Sequence, residues 1–378
     1  MSILLTHGDG WIISHLQFIN KVYNNVNYND IICKLRFKED LFNINSQYLR
    51  ANQVCKIASG VSLKRDCRKS RKRKRINSPS SSSSIHREQV QFVQKTLHNI
   101  ITIAQENGFY TNSISIDYNE QARIASQQFY DDTSYDILEN FIGSNQSNTP
   151  IITKIGSNEY VIPENCTFYS YDVRNIHQKL ELNCQFDFIL MDPPWWNKFI
   201  RRNKSSSYKM MHNDELCKIP INNLLSTNGI IAIWCTNSAA HFNDIVNIMF
   251  PAWGIKFIAK WYWLKVTHSG HVVCDFNYNE GKQPYELLIF GVLCTNHIST
   301  IPDNKLIVSV PSAVHSHKPP IAEIIKPYLI EKPNCLEIFA RYLLPGWTSW
   351  GLEILKFQSL SLYDFSKFNK KAHEIETA

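Results

Sequence analysis

No stretch of the 378-residue chain stays apolar for anything near the roughly 20 residues that a bilayer-spanning helix needs, which excludes a span of that kind. The opening MSILL is broken by His7, Gly8 and Asp9, so no signal peptide is read there. A soluble intracellular protein with no membrane partner is expected. Ten cysteines lie scattered from Cys33 to Cys335 without a C-x-x-C pair, and no histidines cluster at zinc-finger spacing. The thiols read as reduced core filler, Cys235 included, and no metal site is expected. No G-x-G follows Phe339, so a generic dinucleotide-fingerprint scan finds nothing.

What is present is a core and a localised charge. Hydrophobic content of 44% and aromatic content of 12% support a core, and the length suits a catalytic domain plus an extension. The net charge of +7 comes mostly from one block, Lys64 to Arg75. That block suits a nuclear import signal or a flexible nucleic-acid arm, or it is a solvated linker. With the serine tract Ser78 to Ser84 it cannot bury apolar area and is expected to be disordered.

The chain divides on these grounds into five parts. Residues 1–62 read as a small β-rich or mixed element, opening with a hairpin around Gly8-Asp9-Gly10, and 63–84 as the basic, serine-rich linker. Residues 85–148 read as a helical extension. In its first helix Val90, Val93, Leu97, Ile100, Ile101 and Ala104 recur at helical spacing before Gly108. A second pattern runs from Gln121 to Phe141 and stops at Gly143. Structural support and nucleic-acid binding both remain open for this hairpin.

From 149 to 360, short apolar runs alternate with helical or loop stretches, ahead of a polar tail at 361–378. The runs are Cys166 to Tyr171, Phe186 to Met191, Gly229 to Cys235, Ile255 to Leu264, Tyr285 to Val292, Leu306 to Val310, Cys335 to Phe339 and Leu352 to Phe357. Helices are expected around Ala239 to Met249 and Pro320 to Ile330. The alternation argues a doubly wound, Rossmann-like α/β sheet with helices on both faces.

The chain is organised around FDFILMDPPWW, Phe186 to Trp196. A buried strand is stopped by two prolines just after an acidic residue, which puts Asp192 at the carboxyl edge of the sheet. An Asp carboxylate and a proline carbonyl only accept hydrogen bonds, and an indole offers a stacking face. A planar group bearing an NH2, such as adenine, satisfies all three. The plain alternative is a strand ending at a proline turn with a capping aspartate.

The motif D-P-P-W resembles that of the DPPW-type adenine N6-methyltransferases, the family named after the seventy-kilodalton subunit of the mRNA adenosine methyltransferase. The resemblance covers roughly Thr167 to Phe357. It implies catalytic roles for Asp192, Pro193, Pro194 and Trp195 and S-adenosylmethionine as cofactor, making 149–360 the methyltransferase domain. Tyr171-Asp172-Val173-Arg174 is similar to the segment that contacts the cofactor adenine, through the Asp172 carboxylate and the Val173 backbone. Ser316-His317-Lys318-Pro319 matches an S-H-K-P segment whose lysine reaches the cofactor carboxylate and the target. Leu336 to Arg341 resembles the ribose-holding strand and turn, with Glu337 and Arg341 as contacts.

For the target base the resemblance implies Trp196, Tyr208, Trp263, Lys265, His317 and Lys318. Arg201 and Arg202, beside Lys204 and Lys209 on a polar loop, would contact phosphates or are simply solvated. The chain has Leu343-Leu344 and Leu352-Glu353 where studied members carry His-Asn and Asn-Gln, although Glu353 can still accept a hydrogen bond. The segments HSHKPP and ARYLLPGWTSWG look most like the clade called methyltransferase-like protein four. That clade implies 2′-O-methyladenosine of spliceosomal small nuclear RNA as substrate, with DNA adenine as an alternative; a nuclear location that can extend to the cytoplasm and a monomer or loose heteromer are expected as well. A non-catalytic RNA-binding subunit of the same fold is the other reading. D-P-P-W precedes the strand carrying Glu337, so the cofactor half follows the catalytic half, as in a circular permutation.

Overall fold

The structure, a computed structural model, describes residues 2–48, 81–110, 119–133, 139–180, 185–195, 210–279, 281–294 and 301–365. The strands in chain order begin with β1 (Ile3–His7), β2 (Gly10–Ile13), β3 (Val26–Tyr28), β4 (Ile31–Cys33) and β5 (Leu35–Phe37). Next come β6 (Phe141–Asn145), β7 (Ile151–Ile155), β8 (Asn158–Ile162), β9 (Cys166–Ser170), β10 (Phe186–Met191), β11 (Leu225–Cys235) and β12 (Ile255–Lys265). The last five are β13 (Tyr285–Leu293), β14 (Lys305–Ser309), β15 (Cys335–Ile338), β16 (Trp347–Trp350) and β17 (Tyr363–Phe365). The longer helices are α1 (His15–Val22), α2 (Ser81–Glu106) and α3 (Glu120–Thr133).

Eleven strands form one sheet in the order β1-β2-β14-β12-β13-β11-β10-β15-β16-β9-β6. β10 lies in the middle because its residues are apolar on both faces. Ile189 and Met191 join one buried cluster, and Phe188 and Leu190 join the other. An uninterrupted apolar run is what a strand covered on both sides requires, and each large side chain fully buried stabilises by about 1.5–3 kcal/mol. The covers are helical on both faces. Val93, Leu97, Ile100 and Ala104 of α2, which lies against β14, belong to the same buried cluster as Ile189 and Met191. Ile321, Ile324 and Ile325 pack with Phe188 and Leu190. The doubly wound α/β sheet is present, with the permuted order expected: β10 and β15 are parallel neighbours, and β15 comes later in the chain.

Strand direction decides where function can sit. β10 is parallel to β11 and β15, and β15, β16 and β9 run parallel. β13 is antiparallel to both β11 and β12, and β12, β14 and β2 run parallel. Eight strands therefore end at one edge of the sheet, and β13 begins there.

Several details depart from the sequence reading. The second helix is described over Glu120–Thr133, and Phe141–Asn145 is strand β6, antiparallel to β9. Gly143 is no helix cap. It sits mid-strand where a Cβ would lie 2.2 Å from the Phe168 ring, so glycine lets β6 approach. The hairpin β1–β2 is present, but it extends the large sheet through β2 and β14. β3 pairs with β7 and β5 with β17, so strand pairing runs across the expected boundaries. Ser81 to Ser84, expected to be disordered, open α2, whose later turns pack on the sheet and propagate it backwards. Leu352 to Phe357 forms turns, and the strand is the preceding Trp347–Trp350. Lys64 to Arg75 lies outside the described residues. No helix among the described residues is long and apolar enough to cross a membrane.

Candidate active site

Pro193 and Pro194 end β10 by removing the N–H groups that would continue the ladder. Asp192 N–H still donates to Ile338 O at 3.3 Å, so its backbone is anchored to β15 while its carboxylate stands at the edge, 7% exposed. The Pro193 carbonyl accepts from Trp195 N–H at 2.8 Å, and the Pro194 carbonyl accepts from Met211 N–H at 3.1 Å.

The shared edge brings charged residues from six strands and their adjoining loops into one alternating chain. Lys265, at the end of β12, pairs with Glu286 at the start of β13. Glu286 Oε2 also takes Lys318 Nζ at 2.7 Å, and Lys318 Nζ lies 3.4 Å from Asp192 Oδ1. Asp192 Oδ2 pairs with Arg341, whose Nε donates to Glu353 Oε2 at 3.1 Å. Glu353 Oε1 takes Lys356 Nζ at 2.6 Å. Lys265 Nζ also sits 4.4 Å over the Trp263 ring, and Lys318 Nζ sits 5.9 Å over Trp234.

Burial raises the Glu286 and Glu353 carboxyls, but the adjacent cations outweigh it and hold both below the usual carboxylate range. Burial lowers Lys318, yet the Asp192 and Glu286 charges outweigh that and keep it above an ordinary lysine.

Glu337 behaves oppositely. It faces the same side as Asp192 because its register partner is Leu190, two residues before Asp192. At 4% exposure, burial and then the Asp192 charge push its carboxyl up to about 8 against the pull of Arg341, and Oε2 has no hydrogen-bond partner. Arg341 returns to Asp192 through a sharp turn in which Phe339 takes a φ of 65°. That left-handed conformation costs a non-glycine residue about 1–2 kcal/mol and does the work a fingerprint glycine does elsewhere. Gly351 makes room beside the turn, since a Cβ there would lie 2.6 Å from Ala340 O.

Asp172 lies at the same edge, beyond β9, but outside this chain of charges. Its carboxylate accepts from Arg174 N–H at 3.0 Å and pairs with Arg174 Nη1 at 2.8 Å, while Arg174 Nη2 reaches Glu215 at 2.6 Å. The Val173 side chain is buried in the core.

Three expected site residues are interior side chains. Trp195 is 6% exposed, with Nε1 donating to Trp234 O at 3.1 Å and its ring stacked on His241 at 5.1 Å and 19°. That face of the indole is taken. His317 is 5% exposed and stacks on Phe357 at 3.9 Å, because the chain turns at Ser316, φ 66°, and sends it away from Lys318. Burial pushes its imidazole down to about 3, so it is neutral packing. Trp263 is buried with Nε1 on Ser309 Oγ at 2.8 Å and reaches the site only by carrying Lys265. Trp196, Arg201, Arg202, Tyr208 and the neighbouring Lys204 and Lys209 lie outside the described residues.

The sequence reading missed Glu286, Lys356, His241 and Tyr130. Glu286 had a signal, a charge in the apolar run Tyr285 to Val292. Tyr130 had none, because only packing brings α3 here, where Ser126 Oγ donates to Ala313 O at 3.3 Å and Lys356 Nζ lies 5.8 Å over the Tyr130 ring. No group of three or more potential metal ligands occurs among the described residues.

A Rossmann-like sheet with its polar cluster outside the carboxyl ends of central strands is the architecture of α/β methyltransferases. Residues 186–353 match the MT-A70 family, so the chain carries a domain of that family. The chain is 37% identical over 258 residues to the N(6)-adenine-specific methyltransferase METTL4 of Homo sapiens, covering 65% of this chain and 54% of that protein. It is 33% identical over 226 residues to a DNA N6-methyl methyltransferase of Caenorhabditis elegans, covering 59% and 60%. With the N6-methyladenosine RNA methyltransferase MTA1 of Cryphonectria parasitica it shares 34% over 180 residues, covering 46% and 53%. The chain thus spans about half the length of the curated relatives it matches.

Proposed function

We propose that this chain transfers a methyl group from S-adenosylmethionine to N6 of adenosine in RNA, with 2′-O-methyladenosine of spliceosomal small nuclear RNA as the substrate. The observation that carries the reading is the Asp192 carboxylate at the tip of β10 with Lys318 Nζ 3.4 Å away. Had that lysine pointed to the other side of the sheet, the two could not share a pocket.

The residues fit the cofactor. Glu337 keeps a buried oxygen without a partner beside Asp192, an acceptor suited to ribose hydroxyls. Lys318 suits a carboxylate, and Asp172, Val173, Arg341 and Glu353 are the further residues that would hold the group. When bound, S-adenosylmethionine supplies an electrophilic methyl on a sulfonium.

Asp192 and the Pro193 carbonyl orient the amino group of the target by accepting its two N–H bonds. Each Asp192 oxygen, and the Pro193 carbonyl beyond its bond from Trp195, has a second lone pair for this. Accepting both protons turns the nitrogen lone pair outward, so positioning is the main contribution, of roughly 7–11 kcal/mol when reactants are well oriented. A target within a duplex would be flipped out first.

The name of the nematode relative favours DNA adenine as the second reading. A nuclear location fits the basic block Lys64 to Arg75. The test is mass spectrometry of digested nuclear RNA and DNA from cells carrying Asp192→Ala. Loss of N6,2′-O-dimethyladenosine from RNA is expected. Loss from DNA alone would replace RNA as the substrate, and calorimetry showing no cofactor binding by the purified protein would favour a non-catalytic RNA-binding subunit.

A further inference from the structure

Trp195 cannot stack on a base with the face that His241 covers, but the pair it makes can present another ring. His241 is the half-buried member, its plane 19° from the indole and its centroid 5.1 Å away. Three contacts fix the pair. Trp195 Nε1 is held by Trp234 O at 3.1 Å, His241 Nδ1 lies 3.0 Å from Thr236 Oγ1, and His241 N–H reaches Ser238 Oγ at 3.5 Å. The register Met191↔Ile233 puts Trp234 level with Asp192 and Thr236 just beyond it on the neighbouring strand. Trp195 itself is three residues past Asp192, at most about 10 Å along the chain. A flat ring already oriented at the rim of an adenine site costs little further ordering when it stacks, and histidine is among the side chains on which unstacked bases rest.

We propose that the ring of His241 is a stacking platform for the nucleobase next to the target adenine. This rests on the reading of the site as one that takes a nucleic-acid adenine, and it adds a contact outside the reacting group. Stacking is tolerant of base identity, so the platform positions the strand without selecting its sequence.

The experiment is a cycle between His241 variants and an abasic residue. The probe is a short single-stranded RNA with one adenosine, intact or abasic at the nucleotide on its 5′ or 3′ side, and binding is read by anisotropy. For the wild type, the abasic change on one side weakens binding by about 5- to 150-fold, the range for one stacked base. H241A binds the intact RNA that much more weakly and is insensitive to the abasic change. H241F, which keeps a flat ring, restores the sensitivity. An H241A protein that retains the full abasic penalty overturns the platform, as does an H241F protein that behaves like H241A. Methyl transfer to the intact RNA is measured alongside. Transfer without coupling overturns the platform alone, and coupling without transfer overturns the methyltransferase reading and keeps the platform.

Discussion

Glu286 is one carboxylate between two ammonium groups, Lys265 on one oxygen and Lys318 at 2.7 Å on the other. Glu286→Gln keeps its shape and removes its charge, leaving Asp192, 3.4 Å from Lys318, as the nearest remaining anion to that lysine. Removing one partner of a fully buried ion pair costs roughly 3–5 kcal/mol. The Glu286 side chain retains 21% of its exposure, so water screens part of the interaction and the lower end, about 3 kcal/mol, applies. At about 2 °C per kcal/mol for a chain of this length, Tm at pH 7 should fall by about 6 °C.

The pH dependence separates a charge effect from a packing effect. Burial raises the Glu286 carboxyl, but the two lysines outweigh it and the folded-state value is depressed. A depressed carboxylate contributes stability above its unfolded value, near 4.5, and loses it as pH falls through the folded value. Thermal melts of the two proteins should therefore differ steadily from pH 7 to pH 5 and draw together below pH 4.5. Equal melting temperatures at pH 7, or a gap that does not narrow in acid, would refute the bridging role.

Glu337 carries the opposite sign. Its raised folded value, about 8, favours the folded state fully below pH 4.5, and this contribution is lost as pH rises through 8. Glu337→Gln should match the wild type at pH 4.5 and melt higher at pH 8. A wild type that melts higher at both pH values would mean that the carboxylate is stabilised by its surroundings. Tyr130→Ala removes the ring over which Lys356 Nζ sits at 5.8 Å, a contact of about 0.5–1 kcal/mol, and with it support for the Glu353–Arg341 end of the charged chain. Its effect should fall mainly on the dissociation constant for S-adenosylhomocysteine, read by calorimetry, and unchanged binding would place Tyr130 outside the site.

The run Phe186 to Met191 and its proline stop made β10 and Asp192 legible, because a strand apolar on both faces has few other interpretations. Lys318, Glu337 and Arg341 were legible through short motifs. What could not be read was set by tertiary packing. His317 and Lys318 are adjacent in one motif, but the left-handed backbone at Ser316 separates a packed imidazole from a paired ammonium. Trp195 was placed correctly in the chain, but its ring is turned against His241 from beyond the next strand. α3 was legible as a helix up to the point where Phe141–Asn145 changes period, and its docking onto the site was not.

The permuted motif order becomes intelligible once strand direction is separated from chain order. A residue reaches the site when its strand ends at the functional edge, or begins there if antiparallel. Asp192, Lys265, Glu286, Lys318, Arg341 and Glu353 meet because β10, β12, β14, β15 and β16 end at that edge and β13 starts there. Which strand comes first in the sequence changes only the connections, and these run outside the sheet. The same rule joins the N-terminal hairpin to the catalytic part. β2 is parallel to β14, so its carboxyl end delivers α1 to this edge, where His15 Nε2 meets Ser309 Oγ at 2.9 Å. Ser309 also takes Trp263 Nε1 at 2.8 Å, and Trp263 lies under Lys265. The first strands of the chain therefore support the charged edge through a continuous set of contacts, which a separate appended element would not do.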